Sequence, residues 1–478
     1  MKKNEGMKHS ILYSSLFFSI SLGLYAQEPT GEKPEPPAYK IFRADEDYTY
    51  LRVKEENPYK EDAFDAIKFI PLNEAGTAYL SFGGQFRPRF ELYNNRLWEA
   101  EEDIEFYSQR IALHTNMVVD EKFRFFGELY HGYTSHEKEI VEYDVLDYHQ
   151  AFLEYTMDLK EERHLSFLFG RQEMPFGAAR LVGLREGPNI RRSFDAVRLI
   201  LKQDRTKIQT FYGKEVRPLF ESFDNEFTLF DKGADNPELW GLYSQFKIKG
   251  VIGMNEIYYL GFQSESSRFN DALGEEKRHS VGLRRFGHIG KHWFYNTELI
   301  YQFGKLDDQD INAYSFEADW HYKLINTQWK PSIGLKLDYT TGDDKAGDGE
   351  INTFNPMFVN PAYYSLALTI TPINLISIHP SISVQPCEDF TVYIEWAFFW
   401  RESESDGLYK PPRFVNRAAG DGLDKSIGNQ IGLKVEYEID RHVTIALDMS
   451  YFMAGDFIKE TGESEDILHI APTMNYKF

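Results

Sequence analysis

The chain has one cysteine, Cys387, in 478 residues, so it can form no disulfide framework of its own and no cysteine-based metal site. Positive charge is scarce: Lys and Arg number 53 against 75 Asp and Glu, a formal net charge of -22. After the N-terminus no run of roughly 18 apolar residues occurs, which excludes a helical membrane protein. Aromatic residues are abundant instead, at 16% of the chain with 30 Tyr among them. That is more than one water-soluble core needs and calls for a second apolar surface. With 42% hydrophobic and 27% charged residues, the chain is not disordered. Its length suggests about three domains at the usual ~150 residues each, large barrels being the exception. A secreted β-protein or an outer-membrane barrel remains.

At the N-terminus Lys2, Lys3 and Lys8 precede an apolar stretch from Ile11 to Tyr25, closed by Ala26 before Gln27. This is the layout of a secretory leader, so residues 1–26 are expected to be a signal peptide cleaved after Ala26. Residues 27–77 follow with Pro29, Pro34, Pro36, Pro37 and an acidic run from Asp45 to Asp47, without a sustained period. They read as a periplasmic extension, or alternatively as a short helix or plug around Ala63 to Phe69.

From residue 78 to the end the period is two. Val443, Ile445, Leu447, Met449 and Tyr451 alternate with Thr444, Ala446, Asp448 and Ser450, and Leu468, Ile470, Met474 and Tyr476 alternate with His469, Ala471, Thr473 and Asn475. Such strands have one face suited to lipid and one to water. Eighteen candidate strands run from 79–93 to 466–478. Short links (Asp120-Glu121, Lys202 to Arg205, Gly287 to Lys291, Ile325 to Gln328, Pro386 to Glu388, Asp440-Arg441) take turns with long ones (173–193, 214–238, 265–277, 342–373, 403–426). The expected fold over 78–478 is all-β: an 18-stranded antiparallel transmembrane barrel with long extracellular loops and short periplasmic turns, closed so that no edge faces lipid. The ending Tyr476-Lys477-Phe478 resembles the signal read by the barrel assembly machinery of outer membranes.

Much of the acid sits in loops: Glu99, Glu101, Glu102 and Asp103 in the first long one, Glu137, Glu139, Glu142 and Asp144 in the second. They read as a solvated rim, bridged to lipopolysaccharide by divalent cations. Alternation turns Arg87 and Arg89 inward opposite Phe86 and Phe90, and Arg110 inward opposite Ile111; Arg124 and Arg401 follow on later strands. Lipid-facing Arg costs roughly 2–4 kcal/mol at midplane. From Arg171 to Arg198 six Arg (171, 180, 185, 191, 192, 198) meet only Glu173, Glu186 and Asp195. A long loop folded into the lumen would make of Arg171, Arg180, Arg191, Arg192 and Arg198, with Asp195, an anion filter. Asp343, Asp344, Asp348 and Glu350 form a Gly-loosened acidic loop that offers oxygen ligands for Ca²⁺ but lacks the twelve-residue helix-loop-helix spacing; a solvated turn is the alternative.

The stretch Phe169-Gly170-Arg171-Gln172-Glu173-Met174-Pro175-Phe176-Gly177, then Arg180-Leu181-Val182-Gly183, Asn189 to Arg192 and Phe194-Asp195-Ala196-Val197-Arg198, resembles the signature of the alginate export family. So do Phe82-Gly83-Gly84-Gln85-Phe86-Arg87, Glu298 to Gly304, Thr341-Gly342-Asp343 with Thr353-Phe354-Asn355-Pro356, Phe399-Trp400-Arg401-Glu402-Ser403 and Asp406-Gly407-Leu408-Tyr409. The resemblance implies a monomeric 18-stranded outer-membrane porin, with an electropositive pore that passes anionic polysaccharide, oligosaccharide or organic anions and the Arg-rich segment as its constriction. Pro175 and Ala178-Ala179 replace bulkier or more polar residues, and residues 27–77 lie outside the family pattern. Alternatives are a general diffusion porin and a structural barrel with a closed lumen. Catalysis is not expected: His279 and Ser280 are adjacent in a strand and face oppositely, and Ser381 with His379 has no evident third member. No cofactor and no nucleic-acid partner are expected.

Overall fold

A computed structural model describes residues 33–478 except Glu101, Glu102, Glu137, Ile140, Glu161, Lys232, Ala234, Asp271 and Asp421. The leader expected at 1–26 lies outside the described residues. Eighteen strands build one antiparallel barrel: β1 Tyr79–Asn94, β2 Ile104–Val119, β3 Phe123–Thr134, β4 Asp144–Leu159, β5 Arg163–Gln172, β6 Phe194–Gln203, β7 Thr206–Glu215, β8 Glu238–Phe246 and β9 Met254–Phe269. The circuit continues through β10 Ala272–Ile289, β11 Trp293–Leu306, β12 Gln309–Lys323, β13 Ser332–Thr340, β14 Leu375–Cys387, β15 Phe390–Arg401, β16 Ser426–Glu438, β17 Val443–Ala454 and β18 Ile467–Lys477. Closure comes from β1 against β18, with Gln85 opposite Lys477 and Asn94 opposite Leu468.

Every strand expected from alternation is present, but the links differ in two places. The stretch 265–277 is not a long loop, because β9 and β10 pair as far as Phe269 opposite Ala272 around a bulge between Ser264 and Ser267. The hairpin of β11 and β12 likewise extends to Leu306 opposite Gln309. At the other rim Trp329 and Lys330, expected to start a strand, have positive φ of 63° and 44° and form a turn instead.

Outward positions such as Phe90, Leu113, Leu153 and Ile394 are exposed, whereas Arg87, Glu91, Arg110 and His114 on the opposite parity are buried. The lumen is not simply wet. Residues 173–193 fold inside it and join loop 341–374 through a parallel bridge between Val182 and Phe358. Gly183 N donates to Phe358 O at 2.9 Å and Phe358 N to Leu181 O at 2.9 Å. Met174, Phe176, Leu181, Val182, Phe354 and Phe358 then pack with inward Phe211, Tyr243 and Phe262 into an apolar core within the barrel. That burial, several residues at about 1.5–3 kcal/mol each, holds the loops in.

Loop 216–237 goes the other way. Its Phe227 and Phe230 pack on outward Phe169 with centroids 5.9 and 6.1 Å apart, and its Phe223 packs on outward Tyr148 at 4.9 Å. It therefore lies over the outer face of β4 and β5 at the long-loop rim.

The N-terminal extension is neither strand nor free tail. Its helix, Asp65–Lys68, sits in the opposite mouth, the one ringed by short turns, and Ile70–Pro71 pairs with the start of β1. The short helix given as an alternative for residues near Ala63 to Phe69 is present, as Asp65–Lys68.

The face assignment yields a direct test. Leu447→Arg places charge in hydrocarbon at about 2–4 kcal/mol near midplane and impairs assembly. Ala446→Arg, one residue away on the lumenal face, assembles. Heat-modifiable migration of the two variants on a gel reads the difference, and equal defects would reject the assigned parity.

Candidate functional site

The site is the lumenal surface built by loop 173–193 and the wall it touches. One turn of that loop, Glu186 to Asn189, is gripped by the wall. Arg110 donates from Nη1 to Glu186 Oε1 at 2.9 Å, from Nε to Asn189 O at 2.6 Å and from Nη2 to Pro188 O at 2.7 Å. Arg87 donates to Glu186 O at 2.8 Å and Pro188 O at 3.0 Å, and Arg89 to Gly187 O at 2.8 Å. Within the loop Arg191 closes on Glu186 and lies 3.6 Å from Glu173. Arg87, Arg110 and Arg191 thus share the Glu186 carboxylate.

The remaining arginines separate by how fully they are neutralised. Arg180 crosses the lumen to β11–β13 and meets three carboxylates: Glu317 at 2.6 Å, Asp338, and Glu298 at 3.8 Å, with Tyr363 OH at 2.7 Å. Arg192 and Arg185 divide a single carboxylate, Glu215, at 2.7 and 2.8 Å, and Arg192 also donates to the carbonyls of Gly183 and Phe358. Arg124 binds Glu154 at 3.1 Å and Asn116 at 2.7 Å; Arg198 reaches Gln172 at 3.2 Å and Gln209 at 2.8 Å.

Two expected lumenal groups lie elsewhere. Arg171 and Asp195 pair at 2.8 Å, but they share the outward parity of Phe167, Phe169 and Leu199. Loop 216–237 covers them, accepting from Arg171 at Asn225 O and Glu226 O and donating from Thr228 N to Asp195. The bulge-free register of β5 and β6 carries the alternation to their ends, which places this pair outside the wall. Arg401 is lumenal yet wholly buried, with its guanidinium on the carbonyls of Glu404, Asp406, Leu423 and Asp424. It fixes loop 402–425.

Alternation also marks residues that the sequence reading passed over. On β10, Arg278 and Arg284 lie opposite Val281 and Leu283 in parity and are buried. Arg278 pairs with Glu276 at 2.5 Å and Arg284 with Glu256 at 2.8 Å. Arg413, delivered by loop 402–425, interacts electrostatically with Glu276, Glu215, Arg192 and Arg278; nothing in its local sequence signals this. Arg185, Arg192, Arg278 and Arg413 therefore gather around Glu215 and Glu276, four guanidinium groups to two carboxylates. Arg185 Nη1 and Arg278 Nη2 are buried without an acceptor among the described residues.

Other expectations change too. Glu142 and Asp144 are not solvated rim: Glu142 accepts from Asn189 N at 3.1 Å and Asp144 is buried beside a small cavity lined by Asp147, His149 and Arg191. The acidic loop does not converge. Asp343 is buried and accepts from Asn352 N and Asn270, while Asp344, Asp348 and Glu350 are exposed. Among the described residues the carboxylates and imidazoles that do converge are Glu128, His149 and Glu173, where Arg191, Arg110 and Arg171 all act on His149. The serine that His379 meets is Ser377: the His379 Nε2 lies 2.8 Å from Ser377 Oγ and its Nδ1 3.1 Å from Glu395. Ser377 and His379 are each 1% exposed, beneath Tyr364 and Phe399.

Removing Arg180 strands three carboxylates in the lumen. Arg180→Gln is expected to cost about 3–5 kcal/mol, read as a lower urea midpoint of the refolded barrel; an unchanged midpoint would mean that water already solvates those acids.

The alginate export family model matches residues 78–467. No protein of curated function matches the chain. Similar solved structures are barrels from Pseudomonas aeruginosa: OpdO, 9% identical over 84% of this chain and 97% of that one, TM-score 0.54; OccK8 (OprE), 11% over 84% and 98%, TM-score 0.54; and OccK2 (OpdF) in complex with glucuronate, 10% over 84% and 98%, TM-score 0.53. At these identities they attest the fold. The family match spans the whole circuit of strands from Tyr79 into β18, and with it the loop that Arg87, Arg89 and Arg110 hold in the lumen: the chain belongs to the alginate export family of outer-membrane β-barrel channels.

Proposed function

We propose that the protein is a passive outer-membrane channel for anionic saccharides or small organic anions, whose contact surface is the guanidinium group of loop 173–193 and its neighbours. The observation that carries this reading is the imbalance around Glu215 and Glu276. Where Arg180 is neutralised by three acids, Arg185, Arg192, Arg278 and Arg413 have two between them. Guanidinium donates to a carboxylate in a planar, charge-assisted fork, so a uronate or other carboxylate fits that deficit where a neutral sugar does not. The description of the family and the glucuronate held by OccK2 agree with it in kind. Arg87, Arg89, Arg110 and Arg191 act here by placing the loop, and Arg124 and Arg198 line the lumen with their charge partly shared.

In this reading the long loops face outward, where exposed Glu99, Asp103 and Glu139 meet lipopolysaccharide, with Ca²⁺ as a bridging ion. The barrel works as a monomer, delivered by a cleaved leader and the assembly machinery.

Replacing Arg185, Arg192 and Arg413 together by Gln removes three positive charges with little change in length. In a salt gradient the reversal potential moves toward cation preference, and the shift shrinks at 1 M salt, where the Debye length is about 3 Å. Block by an oligouronate weakens more than block by a neutral oligosaccharide of equal size. An unchanged reversal potential in a folded variant leaves a general diffusion porin as the better description, and no conductance under any condition leaves a closed structural barrel.

A further inference from the structure

The mouth ringed by short turns carries a built seat, and this chain's own N-terminal segment fills it. The seat begins on β1. An added Cβ on Gly83 would stand 2.6 Å from the His114 ring and 2.7 Å from Lys68 Nζ, and one on Gly84 would stand 2.7 Å from Phe478. Gly83 leaves the lumenal wall bare where the segment lies, and Gly84, of the opposite parity, makes room for the Phe478 ring. Into that space Lys68 donates from Nζ to Phe82 O at 3.0 Å, and Ser81 Oγ donates to Lys68 O at 2.6 Å. Arg43 donates to Gly84 O at 2.9 Å and to Phe478 O at 2.8 Å, joining the segment to both strands of the closure seam.

From there the segment crosses the opening. On one side Asp62 accepts from His442 at 2.8 Å and Arg441 at 3.3 Å, in the turn between β16 and β17. On the other, Ala44 packs on Phe126, Phe152, Leu168 and Ile200 of β3–β6, and its carbonyl accepts from Arg124. At its innermost point Ile41 O accepts from Arg191 at 3.1 Å. Arg191 belongs to the loop gripped through Glu186, so the segment touches the constriction itself.

The seat also holds a charge at odds with permanent burial. Lys68 is 2% exposed, and its ammonium lies over the Tyr39 and Tyr48 rings at 5.1 and 4.9 Å. Among the described residues no carboxylate lies within 4.0 Å of it. A buried ammonium without a paired acid is costly, and an apolar residue would serve a fixed seal better. Arg43 and Arg441 repel it; Glu46 and Asp62 attract it from further off.

We propose that the lumenal face at this mouth is a peptide-binding surface whose occupant is residues 39–70 of the same chain, a reversible plug that closes the conduit when seated and opens it when displaced. This rests on the channel reading above.

Burial holds the Lys68 ammonium down to about 7 from its ordinary 10.5. The seated state thus binds fewer protons than the released one between these values, so seating is weakest below pH 7. It strengthens by up to about tenfold per pH unit as pH rises from 7 toward 10.5. The facing groups are Arg43, Glu46, Asp62, Arg441 and, across Gly83, His114. Of these Asp62, held below the ordinary carboxylate range by its Phe64, His442 and Arg441 partners, favours seating throughout that window.

The test uses the full chain in a planar bilayer, with a protease site introduced at exposed Asn73 to Ala75 so that the barrel is assembled before it is cut. Cleavage from the short-turn side, with loss of the fragment confirmed by mass, raises conductance several-fold. A synthetic peptide of residues 39–70 added to that side lowers it again, and uncut Gly83→Val, which fills the seat, conducts like the cut channel. Uncut wild type conducts less from pH 7 to 10, and Lys68→Met loses that dependence. Fragment loss without a conductance step, or a folded Gly83→Val with wild-type conductance, would overturn the plug. Conductance steps report the plug, whereas reversal potential reports anion preference, so either reading can fail alone.

Discussion

The lumen of this barrel is organised by one largely enclosed carboxylate. Glu186 draws Arg87 and Arg110 from β1 and β2 and Arg191 from its own loop. Three guanidinium groups around one acid leave positive charge, which the carbonyls of Glu186, Pro188 and Asn189 absorb as acceptors. The loop is consequently held by its backbone as much as by its charge. Once it is held, Arg180 is carried across to β11–β13 and Arg192 to Glu215 and loop 341–374. The apolar core between the two loops then closes around residues that would otherwise face water.

An acidic chain can in this way hold a cluster of arginines inside its barrel. The net charge of -22 describes the whole molecule, while the surroundings of loop 173–193 are set by a local ratio of guanidinium to carboxylate. Most of the lumenal arginines are structural, spent on acids or carbonyls within hydrogen-bonding reach. Around Glu186 the excess is taken up by backbone carbonyls, and around Glu215 one acid serves two Arg.

The strands were legible because their signal is local: alternation needs no knowledge of the partner strand, and all eighteen follow from it. Link lengths were read less well, since β9–β10 and β11–β12 continue as paired hairpins whose ends carry only scattered apolar residues, Phe269, Ala272, Leu306 and Ile311, among polar ones. The inward Arg87, Arg89 and Arg110 followed from parity as well. Arg171 and Asp195 did not, because the same parity rule turns them outward and only the distant loop 216–237 makes that tolerable. Pairing by non-local contacts, such as Arg180 with Asp338 or Arg43 with Phe478, leaves no trace in the spacing of either residue.

The covering of Arg171 and Asp195 has a geometric consequence for the membrane. Elsewhere around the barrel the height at which hydrocarbon ends is set by the last apolar side chain of each strand. Over β4 and β5 it is set by the phenyl groups of loop 216–237, of which Phe230 is 75% exposed. The apolar girdle is therefore stepped, standing higher on this flank than the strands alone would carry it. A bilayer meets such a step by thickening locally or by letting the barrel lean, so the protein has a preferred tilt direction, written in one loop.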